Sequence, residues 1–263
     1  MRKFIVISDL HIVPEGQLSR GLDTTARLEA TLADINANHP DAAALILAGD
    51  LVDNGDAAAY ERLKGTLAAA TLPITMTLGN HDDRATFQAA FPEAARDPAG
   101  FVQAEIPLGD ARVVVIDTLR TGKVEGEYCA ARHAWLGAVL AREPERNTVV
   151  VAHHTIAPQN VDMDRFLLED GPALAETLKK GRVAAVISGH CHGATASVFE
   201  GVPMLTISGC HYEIDPDHGY YADPARKARH LWDGPIQYGV VYADAERFTL
   251  HYRNLPTPFA AAG

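Results

Sequence analysis

Five short apolar runs in this chain end in small polar clusters, and the clusters hold side chains of metal-ligand type. Asp9 and His11 follow Phe4–Ser8, Asp50 follows Ala44–Ala48, and Asn80 follows Pro73–Leu78. His153 and His154 follow Thr148–Ala152, and His190 and His192 follow Val183–Ser188. Together Asp9, His11, Asp50, Asn80, His153, His190 and His192 offer hard oxygen and borderline imidazole donors, with no thiolate required. That mixture suits zinc, manganese, iron or cobalt better than calcium or magnesium alone. Seven ligands are too many for one transition ion that keeps an open position. With one carboxylate bridging they divide evenly between two ions, and each ion then has four protein ligands and room for water.

The positions within the clusters carry further expectations. Asp9 and His11 are two residues apart, so an extended backbone beyond the strand would point both side chains to one side. Asp50, at the end of a buried run and directly after Gly49, is the candidate centre. His153, the first polar residue after its strand, is the candidate ligand there, with His154 beside it as the alternative. Cys191, between His190 and His192, reads as a small packed side chain pointing away. Gly49, Gly79 and Gly189 precede the ligands, where a residue without Cβ lets the backbone turn sharply and come close to an ion.

Clusters of this kind need strands whose carboxyl ends meet. The runs at 4–8, 44–48 and 73–78 are separated by helical patterns at 24–37, behind the N-cap Asp23, and at 57–70, which reads as βαβ architecture with the clusters at one sheet edge. A helix near 83–91, strands at 101–106 and 112–117, a helix at 130–141 and a loop then helix over 162–180 continue the chain. Segments 196–199, 204–208, 239–243 and 248–252 read as short strands of an antiparallel second sheet.

Composition narrows the function. The chain has 263 residues, a hydrophobic fraction of 47% and a formal net charge of −11. That charge, without a Lys/Arg block, argues against a nucleic-acid polymer or an anionic membrane as partner. Bound cations can still reverse the sign locally and admit a small anion. Three scattered cysteines, Cys129, Cys191 and Cys210, make no disulfide framework, and the first apolar run is too short for a signal-peptide core or membrane span, so a reduced cytoplasmic protein is expected.

Asp9-Leu10-His11, Gly49-Asp50-Leu51-Val52-Asp53, Gly79-Asn80-His81-Asp82, His153 and Gly189-His190-Cys191-His192, in that order, resemble the motif set of the calcineurin-like metallophosphoesterases. Within that superfamily the chain looks like the small bacterial class III cyclic nucleotide phosphodiesterases and the related glycerophosphodiesterases. The resemblance implies an α/β fold, a four-layer α/β/β/α sandwich of two mixed sheets flanked by helices. It implies two divalent metal ions (Mn, Fe, Zn or Co), one bound by Asp9, His11, Asp50 and His192, the other by Asp50, Asn80, His153 and His190, with Asp50 as the bridge. The implied reaction is hydrolysis of a small phosphodiester, a 3′,5′-cyclic nucleotide or a glycerophosphodiester, by attack of a metal-held hydroxide. His81, next to Asn80 but outside the ligand set, would stabilise the transition state or protonate the leaving alkoxide. The alternatives are a phosphomonoesterase of the same fold and a non-catalytic interaction scaffold, which would be expected to have lost several ligands.

Other residues have two readings each. Asp53 is a loop or helix cap, or with Asp82 a carboxylate that orients a histidine. His211, His218 and His230 read as surface or lid residues. Tyr212, Tyr220, Tyr221 and Trp232 either wall a substrate pocket or fill a subunit interface of a homo-oligomer (dimer or higher). The expected organisation is a catalytic domain over 1–209 and 236–254, an insertion over 210–235 that serves as substrate lid or oligomerisation segment, and a loose tail over 255–263. Substrate identity is expected to lie in 14–21 and 210–235.

Overall fold

Runs of apolar residues with no polar alternation form strands only where both faces find cover, and this chain supplies cover from its helices and from a second sheet. In the computed structural model, residues 1–159, 163–214, 231, 232 and 234–256 are described. The elements are β1 (Arg2–Ile7), α1 (Thr24–Asn38), β2 (Leu45–Ala48), α2 (Ala57–Leu67), β3 (Ile74–Thr77), α3 (Arg84–Ala90), β4 (Ala104–Leu108), β5 (Ala111–Val115) and α4 (Ala130–Arg142). They continue with β6 (Thr148–Ala152), α5 (Gly171–Leu178), β7 (Val183–Ser188), β8 (Ala196–Phe199), β9 (Val202–Thr206), β10 (Glu213–Ile214), β11 (Leu231–Trp232), β12 (Ile236–Ala243) and β13 (Phe248–Leu255).

One sheet has the order β13-β12-β1-β2-β3 and the other β4-β5-β6-β7-β9-β8, with β10 and β11 forming a separate ribbon. Strand alternation divides the apolar residues among three cores, one between the sheets and one outside each. Phe4, Val6, Ile46 and Ala48 face inward and meet Val113, Val115, Val149 and Val151 of the opposite sheet. Their neighbours Ile5, Ile7, Leu45 and Leu47 face outward against Leu28 and Leu32 of α1 and Tyr60 and Leu63 of α2. Val114, Val150 and Val186 pack on Leu136 and Leu140 of α4 and Leu174 and Leu178 of α5. Each such side chain stabilises the fold by roughly 1.5–3 kcal/mol. The layers are α/β/β/α, as the resemblance implies, with both sheets mixed.

Three expectations about elements are corrected. The late strands make no sheet of their own. β12 pairs antiparallel with β1, and β9 pairs parallel with β7. The reason is burial: β12 is covered along nearly its whole length and therefore needs a neighbour on each side, β1 and β13. The five clusters thus lie on the facing carboxyl ends of two sheets, not on one edge. The strand expected at 101–106 begins at Ala104, because Asp97 Oδ1 accepts the backbone N–H groups of Ala99 and Phe101 (3.0 and 2.8 Å) and keeps them out of any ladder. Helix α2 ends at Leu67, three residues short of Ala70, where i→i−3 bonds from Ala69 and Ala70 tighten the last turn. Asp23 does cap α1, accepting from Ala26 N at 3.0 Å.

Residues 215–230 and 233 of the expected insertion lie outside the described residues, and with them His218, Tyr220, Tyr221 and His230; so do 257–263 of the expected tail, whereas Leu255 still pairs with Ile236. The roots of the insertion are fastened by one side chain. Arg27 of α1 is buried, and its guanidinium donates to the carbonyls of Cys210 (2.6 Å), His211 (2.7 Å) and Gly234 (2.9 Å). Arg27→Met would leave these buried acceptors short of donors, so urea unfolding should show a loss of about 2–4 kcal/mol. A variant within experimental error of the parent would mean that this clamp is energetically idle.

Candidate metal centre

The site forms where the ends of β1, β2, β3, β6 and β7 converge, and the backbone there is strained. Among the described residues, seven that are not glycine have positive φ, and five of these are Asp9 (55°), His11 (45°), Asp50 (48°), His190 (68°) and His192 (47°). The left-handed region costs such residues about 1 kcal/mol or more each. The expectation of an extended backbone at Asp9 and His11 is therefore wrong: they converge because each sits in a left-handed turn that curls the chain around the site. Backbone bonds hold the curl, Asp9 N to Gly49 O (3.1 Å) and Leu10 and His11 N to Asp50 O (2.9 and 3.0 Å). Close approach accounts for two glycines. A Cβ on Gly79 would collide with the Asp50 carboxylate, and one on Gly189 with the side chains of Ser8 and Asp9.

The imidazoles are oriented by what holds their other nitrogen. A carbonyl or carboxylate only accepts, so each contact fixes the proton on one nitrogen and leaves the second to face inward. His11 donates from Nδ1 to Asp53 Oδ1 (3.0 Å), His153 from Nδ1 to Ala48 O (2.9 Å) and His192 from Nδ1 to Tyr212 O (2.9 Å). His190 is the reverse, donating from Nε2 to Phe166 O at 2.9 Å and leaving Nδ1. The same accounting distinguishes the two histidines at the β6 end, where ligand atoms of His153, His154 and His190 lie within 4.8 Å of one another. His154 uses both nitrogens, accepting from Thr118 Oγ1 at Nδ1 (2.8 Å) and donating from Nε2 to Val124 O (3.1 Å), so none is left for an ion.

Asp50 lies between two groups of donors. Its Oδ2 is 3.5 Å from His11 Nε2, and its Oδ1 is 3.4 Å from His153 Nε2. On the first side, ligand atoms of Asp9, His11, Asp50 and His192 all lie within 4.8 Å of one another. On the second, Asn80 Oδ1 is 3.2 Å from His153 Nε2, and the rings of His153 and His190 are 5.0 Å apart. All seven expected residues are brought together in this way. They fit a pair of cations: His11 Nε2 is buried with no hydrogen-bond partner, and two buried carboxylates stand against four inward imidazoles.

Charge distribution without ions says the same. Burial works against charge on His153, yet the Asp50 carboxylate beside it prevails and pushes its pKa up to about 9. Burial raises Asp50 too, but the neighbouring His153 and His81 hold it well below the usual carboxylate range. Burial pushes His190 down to about 3. Asp50 and His153 thus favour each other's charged forms, whereas burial raises Asp9, and a cation between them would favour both carboxylates as anions.

Neighbouring residues separate into supports and walls. Asp53 orients His11, one of its two readings. Asp82 does not orient a histidine: it accepts from Leu51 N (3.2 Å), Val52 N (3.3 Å), Gly79 N (2.9 Å) and Tyr60 Oη (3.0 Å), tying the β2 and β3 ends together. His81 donates from Nδ1 to Asp53 O (2.7 Å), leaving Nε2 beside a cavity of about 190 Å³ that Asp50, Asn80, His190 and Tyr212 also line. Cys191 is buried between its histidines. Tyr212 is a pocket wall, its ring stacked on His192 at 3.9 Å. His211 corrects the surface reading: it is 1% exposed, with its ring 4.4 Å from that of His11 and its Nε2 on Ser19 O. The signal that would have found it is close to the one used elsewhere, a strand followed by Gly209 with a histidine two residues on.

The chain is similar to known proteins of one family. The calcineurin-like phosphoesterase family model matches residues 2–194. A probable cyclic nucleotide phosphodiesterase of Rhodopseudomonas palustris is 34% identical, over 95% of this chain and 91% of that one. The cAMP/cGMP dual specificity phosphodiesterase of Mycobacterium tuberculosis is 32% identical, over 80% of this chain and 67% of that one. A glycerophosphodiester phosphodiesterase of Enterobacter lignolyticus is 26% identical, over 81% and 78%. In fold, the chain resembles a dimetal phosphatase from Danio rerio, with a TM-score of 0.70 at 14% identity and 96% of each chain covered.

The nitrogen accounting makes a direct prediction. His153→Ala should lose one of two bound ions per chain by elemental analysis, whereas His154→Ala should keep both and lose only stability, by about 1–3 kcal/mol. Loss of an ion from His154→Ala alone would reverse the assignment.

Proposed function

The chain belongs to the calcineurin-like phosphoesterase family, and we propose that it hydrolyses a small phosphodiester, a 3′,5′-cyclic nucleotide or a glycerophosphodiester, with two divalent cations. In this reading Asp9, His11, Asp50 and His192 hold one ion and Asp50, Asn80, His153 and His190 the other. The observation that carries it is the pair of Asp50 oxygens, each turned to an imidazole of a different group. The donor set suits manganese, iron, zinc or cobalt. Its relatives' names supply the choice of diester, and the site's small volume and the acidic chain favour a small substrate over a polymer. A cytoplasmic location, with three free cysteines, and assembly as a homo-oligomer belong to the same proposal.

When bound, the ions supply Lewis acidity toward the phosphoryl oxygens and a water nucleophile active at neutral pH. The protein does the rest. Asp53 keeps His11 in one tautomer, and the Asp50 carboxylate is further fixed by the backbone N–H of His81 at 2.9 Å. The Asp53 carbonyl fixes the His81 ring, so that Nε2 faces the cavity and can deliver a proton to the departing alkoxide. Burial opposes a proton on His81, but the charge of Asp50, the Asp53 carbonyl and the Asp53 carboxylate together raise its pKa, as a general acid requires.

Protein reconstituted with each of the four metals should hydrolyse bis(p-nitrophenyl) phosphate faster than p-nitrophenyl phosphate, which carries the same leaving group, and should also hydrolyse cyclic AMP or a glycerophosphodiester. The reverse order would make it a phosphomonoesterase, and no metal-dependent hydrolysis of either would leave the scaffold. In the active form, His81→Ala should lower kcat roughly 100-fold on an alkoxide-leaving diester but far less on bis(p-nitrophenyl) phosphate, whose leaving group needs no proton. Equal losses on both would assign His81 to binding the phosphoryl group.

A further inference from the structure

Arg20 is a cation that lines the metal-site cavity and stands apart from the seven converging residues and His81. It occupies, with Gly21, the centre of a hairpin turn closed by reciprocal Ser19–Leu22 backbone bonds of 3.1 and 2.8 Å. Arg20 has φ 49° and Gly21 has φ 84°, a turn that favours Asn or Gly at its first central position. The turn geometry itself marks nothing, since Glu200 (φ 50°) and Gly201 (φ 83°) make the same turn between β8 and β9. What distinguishes Arg20 is where its side chain goes.

The guanidinium carbon lies 4.9 Å from the centroid of the Tyr212 ring, which is itself stacked on His192. The turn is anchored from below, because the Ser19 carbonyl faces His211 Nε2 at 3.3 Å. The guanidinium thus sits over an aromatic face, and its N–H groups accept nothing and can only donate. Among the described residues none accepts a hydrogen bond from Arg20 or pairs with its charge. The other wall of the cavity is apolar, built by Val124, Met163, Phe166 and Ile214. An organic group entering from solvent therefore meets one apolar wall and one cationic donor, while the phosphate would be drawn deeper, toward the cations that Asp50 and Asn80 would hold.

We propose that Arg20 is a specificity-determining residue that binds a hydrogen-bond acceptor on the organic part of the substrate, beyond the phosphate. The acceptor is an edge of a purine base or a hydroxyl oxygen of a glycerol group, the same chemistry from two sources. The assignment rests on the phosphodiesterase reading of the cavity. It also gives a use to an arginine held in a backbone conformation that another residue would adopt at less cost.

The test compares parent, Arg20→Met, Arg20→Lys and Arg20→Asn on cyclic GMP, cyclic AMP, glycerophosphoethanolamine and diphenyl phosphate, the last having no acceptor outside its phosphate. For its acceptor-bearing substrates the Met variant should lose about tenfold in kcat/KM, mostly through KM, with a loss on diphenyl phosphate several-fold smaller. Lys should restore only part, lacking the planar fork. A greater loss on cyclic GMP than on cyclic AMP identifies a guanine edge; the greatest loss on glycerophosphoethanolamine identifies a glycerol hydroxyl. Equal loss on all four substrates would overturn the proposal in favour of a phosphate contact, and no loss on any would overturn it outright. A parent inactive on all four overturns the phosphodiesterase reading and this inference with it, a failure visible before any substitution. Arg20→Asn should melt at or above the parent temperature while losing the same discrimination; melting well below it would make Arg20 a structural turn residue and refute the assignment.

Discussion

A carboxylate buried at the meeting point of two sheets has to be neutralised on both of its oxygens, and Asp50 is placed under that constraint. It is 1% exposed, with His11 on one side and His153 on the other. Removing such a charge from water is costly unless it is paired and hydrogen-bonded. The fold answers with imidazoles whose far nitrogens are tied to Ala48, Tyr212, Phe166 and Asp53, leaving their near nitrogens to converge. In the proposed reading, two cations would complete what these donors begin.

The same constraint explains the local strain. Five left-handed residues in the loops after β1, β2 and β7 would be unfavourable in an ordinary surface turn, and they persist because neighbouring strands over-determine them. Gly79 and Gly189 stand where any side chain would strike the carboxylates or their supports. Asp82, beneath the site, ties the β2 and β3 loops to each other and to Tyr60 of α2 through four donors, fixing the loops that carry Asp50 and Asn80. Arg27 does comparable work on the far side, holding the carbonyls of Cys210 and His211 and thereby the residues that abut His11 and His192.

Much of this was legible in the sequence, because a strand buried on both faces and a polar cluster at its end leave a local pattern. The positions of β1, β2, β3, β6 and β7 and the seven converging residues follow from such patterns, whereas the α/β/β/α layering came from the family resemblance and not from the local pattern. What was not legible is set by long-range partners. β12 takes its place from β1, more than two hundred residues away in the chain, and no property of 239–243 announces that. His211 looked like an exposed residue because its cover comes from Ser19 and His11. The choice between His153 and His154 depended on whether Thr118 and Val124 had already claimed the nitrogens, which spacing does not record. The left-handed turns at Asp9 and His11 were hidden for another reason: their strain is borne by the site and leaves no glycine as its mark.

The central claim is that one carboxylate joins two ions, and electron paramagnetic resonance of the manganese-loaded protein tests it directly. The parent should bind two Mn(II) ions per chain and give the multiline spectrum of an exchange-coupled pair, and Asp50→Ala should lose the coupling together with metal at both positions. An uncoupled, isolated-ion spectrum from a fully loaded parent, or an unchanged coupled spectrum from Asp50→Ala, would contradict the account.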